Sequence, residues 1–191
     1  MALIDLEARE IHAKIVFFGP ELSGKTTSLQ AIAAGVPPET RGNFRAIASE
    51  SARTIFSDSL PIDLGERLGF RLHWHLYTVP GQMRSAGPRA AVLQGADGIV
   101  FVADATPLRM AENMRSLAEL RELLADQHKT LDDIPLVIEC NKSDLPGASL
   151  PADLARSLGL SGQTAIRTTA IAGEGVFEAL RAVSQQVARR L

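Results

Sequence analysis

The sequence predicts a three-layer α/β fold: a mostly parallel sheet with one antiparallel strand and helices on both faces. Three observations predict it. Short, near-continuous apolar runs recur along the chain, as strands buried on both faces require. Segments with three- and four-residue apolar spacing alternate with those runs, which is the βαβ pattern. Two of the runs are separated only by the stretch around residues 65–69, with Gly65 and Gly69, which makes a hairpin and therefore the antiparallel strand.

Each element follows in order. Residues 14–18, Lys-Ile-Val-Phe-Phe, form a buried strand that runs into a glycine-bearing loop. A helix over about 25–34 comes next and ends at Val36-Pro37-Pro38, because a proline ring obstructs a continuing helix. Gly35, Pro37, Pro38, Thr40, Gly42 and Asn43 make 35–53 loop-rich. Residues 54–64 and 70–78 are the hairpin strands. In the second, Phe70, Leu72, Trp74 and Leu76 share one face, and Arg71, His73, His75 and Tyr77 share the other. His73 and His75 have no third ligand at a useful spacing, so the pair reads as the solvated face of a half-covered strand rather than a metal site. Residues 98–104 form another buried strand. The helix over about 109–126 carries Met110, Met114, Leu117, Leu120 and Leu124 at core spacing. A buried strand at 134–140, a short helix at 152–158 and a strand at 164–168 follow. A last helix from about 175 puts Phe177, Leu180, Val183, Val187 and Leu191 on one stripe.

Composition narrows the function. The 191 residues fit one domain, expected to span 1–191, and no repeat, low-complexity segment or linker interrupts them. One cysteine, Cys140, excludes an intrachain disulfide and suggests a cytoplasmic setting. A net charge of -2 argues against a nucleic-acid-coating role. No apolar run approaches a membrane span. Ala2 excludes myristoylation and the C-terminus lacks a prenylation cysteine, so no direct lipid anchor is expected. The cations are 16 Arg against 4 Lys, and two of those lysines, Lys25 and Lys142, lie inside the motifs below.

In open α/β sheets ligands bind beyond the carboxyl ends of the strands, so chemistry is expected after Phe18, Thr78, Asp104, Cys140 and Thr168. Gly19-Pro20-Glu21-Leu22-Ser23-Gly24-Lys25-Thr26 fits the phosphate-binding pattern Gly-x4-Gly-Lys-[Ser/Thr] between a strand and a helix. Its glycines let backbone N–H groups converge on phosphate oxygens at the positive end of the helix. Lys25 is placed to reach the β- and γ-phosphates, and the Thr26 hydroxyl is a candidate magnesium ligand. The bland alternative is a glycine turn with a helix cap. Asn141-Lys142-Ser143-Asp144 follows a buried strand, where a base pocket should lie. A carboxylate such as Asp144 can accept two hydrogen bonds from N1–H and the exocyclic amine of guanine, a donor pair that adenine lacks. Lys142 can lay its stem along the base, and Asn141 can tie this loop to the phosphate loop. The bland alternative here is a polar turn before Pro146.

With these motifs the chain resembles the small Ras-like GTPases over nearly its whole length, which implies a P-loop NTPase fold of the Ras-like G-domain type, GTP/GDP as ligand and Mg2+ as cofactor. Thr78-Val79-Pro80-Gly81-Gln82 is similar to that family's third motif, and Thr169-Ala170-Ile171 to its Ser-Ala-Lys loop, where the Ala170 amide would face guanine. The Thr-Val-Pro-Gly-Gln form, Tyr77, residues 46–63 and Leu131-Asp132-Asp133-Ile134-Pro135 resemble the bacterial MglA group. That resemblance implies a slow GTPase switch for cell polarity and gliding or pilus-based motility. It also implies a roadblock-fold homodimer, MglB, as activating partner, polarity or motility effectors, recruitment to a cell pole, and a chain that is monomeric alone. It assigns an intrinsic arginine finger to Arg53, γ-phosphate and magnesium sensing to Thr54, and water positioning to Gln82, with Gly81 and Thr27 lining the nucleotide. Where the family has a magnesium-site aspartate this chain has Thr78, so Asp58, with Asp63 second, is expected to supply the charge. Glu21 stands where the family has glycine. Pointing inward, or holding Arg53 in an ion pair, it would slow hydrolysis without preventing binding; pointing to solvent, it would change little, and Arg84 is the other candidate partner. Two other readings stay open: a GTP-binding scaffold that hydrolyses little because of Glu21, and a P-loop kinase.

Overall fold

The computed structural model describes residues 2–47, 57–67, 69–79 and 87–191. Among these, strands and helices alternate as β1 (Leu3–Asp5), β2 (Glu10–Phe18), α1 (Lys25–Gly35), β3 (Arg45–Ile47), β4 (Ser57–Arg67), β5 (Phe70–Thr78), α2 (Gly87–Leu93), β6 (Gly98–Asp104), α3 (Met110–Ala125), β7 (Leu136–Asn141), α4 (Pro151–Ser157), β8 (Thr164–Arg167) and α5 (Val176–Ala188). The sheet order is β3-β4-β5-β2-β6-β7-β8. β5, β2, β6, β7 and β8 are parallel to one another. β4 runs antiparallel to β5 and forms the expected hairpin, β3 extends that edge, and β1 folds back on the start of β2.

The alternation of side chains along the central strands builds two cores. Ile15, Phe17, Val100, Val102 and Val137 pack with Leu29 and Ile32 of α1 and Val176, Ala179, Leu180 and Val183 of α5. Val16, Phe18, Ile99, Phe101, Leu136 and Ile138 pack on the other face with Leu117, Leu120 and Leu124 of α3 and Leu154 of α4. Trp74 is buried beneath α5, and its Nε1 donates to Ser184 Oγ at 2.8 Å, which ties β5 to that helix.

β2 begins four residues before the apolar run, because residues 10–13 pair with the first half of β5. Those residues alternate polar and apolar and so escape a reading tuned to continuous apolar runs. β1, β3 and α2 were not foreseen; the two strands hold three residues each, too few to set a period. The start of the first hairpin strand at 54 lies outside the described residues. The polar face of β5 is less solvated than expected. His73 and His75 are partly buried because His12 of β2 stacks on both, with ring centroids 4.9 Å and 5.5 Å away. Burial, then the His12 and His73 charges, lowers the His75 pKa. Among the described residues no group of three or more His, Cys, Asp or Glu is arranged to hold a metal ion.

Candidate functional site

The phosphate loop forms where β2 hands over to α1. Gly24 is the N-cap of α1 at φ +107, and a Cβ on it would strike the Asn141 side-chain amide. A Cβ on Gly19 would strike the Val102 carbonyl of β6. Only glycine permits both approaches. Leu22, between them, takes φ +60, a region that L side chains enter rarely. Ser23 is fully buried. Lys25 folds over the loop, and its Nζ donates to the carbonyls of Gly19 at 3.0 Å and Pro20 at 2.6 Å. Burial pulls its ammonium down to about 7; the Arg89 charge adds to the fall, and the Glu21 and Glu119 charges oppose it. A buried cation this poorly compensated is stabilised by an anion brought beside it.

Asn141 is the joint between this loop and the two others on the same side. Its Nδ2 donates to Ser23 O at 2.7 Å, and its Oδ1 accepts from Ala170 N at 2.9 Å. The Ala170 amide therefore has a partner that the family resemblance did not anticipate. Lys142, in the left-handed region at φ +62, turns the chain, and its Nζ lies 2.6 Å from Asp104 Oδ2 at the end of β6. Burial works against the Asp104 charge, but hydrogen bonds from Lys142 and Thr106 outweigh it and hold the carboxyl below its ordinary value. Asp144 is exposed at the mouth of this loop, Thr169 and Ala170 are buried behind it, and Ile171 is exposed.

Across the phosphate loop, Thr26 Oγ1 donates to Asp58 Oδ2 at 2.6 Å. Thr78 Oγ1 donates to the same oxygen at 3.2 Å and accepts from the Asp58 N–H at 2.9 Å. Thr78 thus steers a carboxylate contributed by the neighbouring strand. Asp63, the second candidate, bonds to Gly65 N instead, at the other end of the strand pair. Arg53, Thr54, Gly81, Gln82 and Arg84 lie outside the described residues.

The ADP-ribosylation factor family matches residues 2–187. The chain is 44% identical over 191 residues to the mutual gliding-motility protein MglA of Myxococcus xanthus, covering all of this chain and 98% of that protein. It is 30% identical to ADP-ribosylation factor-like protein 6 of Caenorhabditis briggsae, over 93% of this chain and 87% of the relative. A 28% match to the protein of the same name in Caenorhabditis elegans covers 92% and 86%. This chain belongs to the ADP-ribosylation factor family. It is a small Ras-like GTPase of the MglA type, which sets the kinase reading aside.

Three residues of this GTPase escaped sequence reasoning. Asp104 closes a buried strand and gave no signal apart from its position. Arg109, at the start of α3, donates from Nη2 to Glu21 O at 2.8 Å, while its Nη1 lies 3.6 Å from Glu112. Glu139 is fully buried in β7. Its Oε2 accepts from Ser28 Oγ of α1 at 2.7 Å, and burial pushes its carboxyl up to about 8, with the Ser28 bond partly opposing. An acid inside an otherwise apolar strand was the one available clue.

Proposed function

We propose that this chain is one G domain that binds GTP and GDP with magnesium and hydrolyses GTP slowly until a partner activates it. The reading is supported above all by the Asn141 side chain, which links the phosphate loop at Ser23 to Ala170 while Asp144 stays open beside it. In this reading Gly19, Glu21, Leu22, Ser23, Gly24, Lys25, Thr26, Thr27 and Gly81 surround the phosphates. Asp144 takes the guanine edge, Lys142 flanks the base, and Thr169, Ala170 and Ile171 complete the pocket.

The oxygen donors fit a hard divalent cation, since Thr26 Oγ1 and the Asp58 carboxylate are 2.6 Å apart and Asp58 is only 9% exposed. Thr26 and Thr54 would hold magnesium, with Asp58 acting through water, and the ion would neutralise phosphate charge. Gln82 orients the attacking water and Arg53 offsets charge in the transition state. The MglA relative carries a gliding-motility name, so we place this switch in cell polarity or motility, acting in the cytoplasm or at a pole. A roadblock-fold dimer would be its activator, and partners with preference for the GTP state its effectors. Single-turnover hydrolysis across a titration of such a dimer tests this. Arg53→Ala should lose on the order of 10³ to 10⁵ in stimulated rate, and Gln82→Ala should abolish stimulated hydrolysis, both while still binding GTP. Parental rates in Arg53→Ala would remove the finger assignment.

The scaffold reading keeps one observation in its favour. The Glu21 charge acts on buried Lys25, so the carboxylate is within electrostatic reach of the phosphate side. Glu21→Gly should then raise the stimulated rate.

A further inference from the structure

We propose that Arg109 is a positioning residue for GTP hydrolysis, holding the Glu21–Leu22 peptide so that the Leu22 N–H faces the triphosphate. The inference rests on the GTPase reading above. The guanidinium Nη2 is 2.8 Å from the Glu21 carbonyl oxygen. In a planar trans peptide the C=O and the following N–H point in opposite directions. Anchoring the Glu21 carbonyl outward on Arg109 therefore turns the Leu22 N–H away from α3, into a loop whose backbone donors cradle phosphate.

A further fact supports an anchor on this peptide. Leu22 sits at φ +60, a conformation that persists in a non-glycine residue only when surrounding contacts impose it. Arg109 is in turn oriented by Glu112, 3.6 Å from its other terminal nitrogen. A charged donor on a carbonyl also polarises the peptide and strengthens its N–H as a donor. That gain counts most where charge grows on the phosphate oxygens during bond cleavage.

The test compares the parent, Arg109→Ala and Arg109→Lys by single-turnover GTP hydrolysis at saturating nucleotide, with GTP and GDP affinities measured separately. Arg109→Ala should hydrolyse about 10- to 100-fold more slowly, the effect of losing one hydrogen bond from a charged donor, while GDP affinity changes much less than the rate. Arg109→Lys, which can still reach the carbonyl with one donor, should fall between the two. A parental rate in Arg109→Ala overturns the inference. Equal losses of rate, GTP affinity and GDP affinity overturn it too, since they mark a purely structural role. If Arg109→Ala no longer retains GDP, Arg109→Lys decides: an intermediate rate with intact GDP binding supports the inference and a parental rate overturns it. A parent that does not hydrolyse GTP overturns both this inference and the reading it rests on.

Discussion

The base side and the phosphate side of the site hold their polar groups in opposite ways. On the base side the protein answers its own groups. Asn141 is bonded at both ends of its amide, Lys142 is paired with Asp104, and Ser143 is held through its N–H, hydroxyl and carbonyl. On the phosphate side the charges are left to a ligand. Among the described residues, Lys25 Nζ donates to two backbone carbonyls, and the Asp58 carboxylate accepts from two hydroxyls. In the proposed reading, the difference teaches that the base side is held in place by folding alone, whereas the phosphate side offers a buried cation and a buried acid to an anion and a metal ion.

The sharpest way to break this contrast is at Asp144, which is exposed on the base side. Asp144→Asn should weaken GTP binding by on the order of 100-fold, because charge-assisted bonds to guanine are lost. It should also relax selectivity toward xanthosine nucleotides. Equilibrium titration with both nucleotides reads this, and unchanged GTP affinity would remove the guanine assignment. On the other side, Asp58→Asn should leave GDP binding without magnesium near parental. It should raise the magnesium concentration needed for tight binding by about tenfold, the effect of one weakened charged contact. An unshifted magnesium titration would mean that Asp58 serves only Thr26 and Thr78.

A smaller effect sharpens the comparison from beneath. Folding lifts the Glu139 carboxyl from 4.5 to about 8. The folded chain therefore binds more protons than the unfolded one between those values, and its stability should fall as pH rises through that window and level off above it. Glu139→Gln, which keeps the shape without the ionisation, should flatten the curve. Urea unfolding midpoints across this range measure it, and parallel curves for both proteins would contradict the buried neutral acid. Ser28→Ala should be the mildest change, removing a single bond of about 1 kcal/mol. It should shift the unfolding midpoint while nucleotide affinity stays near parental.

What the sequence made legible follows the same division. Runs such as 98–104 and 70–78 coincide with β6 and β5, since continuous apolarity and clean alternation are direct images of burial. Gly24, Lys25 and Asn141 were readable because their chemistry imposes a fixed spacing, and the structure brings them together. Thr78 could be seen as a departure and Asp58 preferred over Asp63 as its partner, but only strand register decides which carboxylate arrives. Arg109 was invisible for a different reason. Its contact joins residues 88 apart in sequence and uses a backbone carbonyl, which no residue type announces. His12 likewise joined His73 and His75 only through the pairing of β2 with β5.

The chain contains one tryptophan. Trp74 lies in the strand that leads to Thr78, is almost wholly shielded from water, and is tethered to Ser184 on α5. Trp74 is thus the chain's one indole, placed on β5, which pairs with β4 of the hairpin on one side and with β2 on the other. Any sliding of β5 beneath α5 would lengthen or break the indole N–H bond and change the polarity around the ring, moving both emission wavelength and intensity. If the nucleotide state moves β5, the change in indole emission would report it in the unlabelled protein, in real time and without an attached dye.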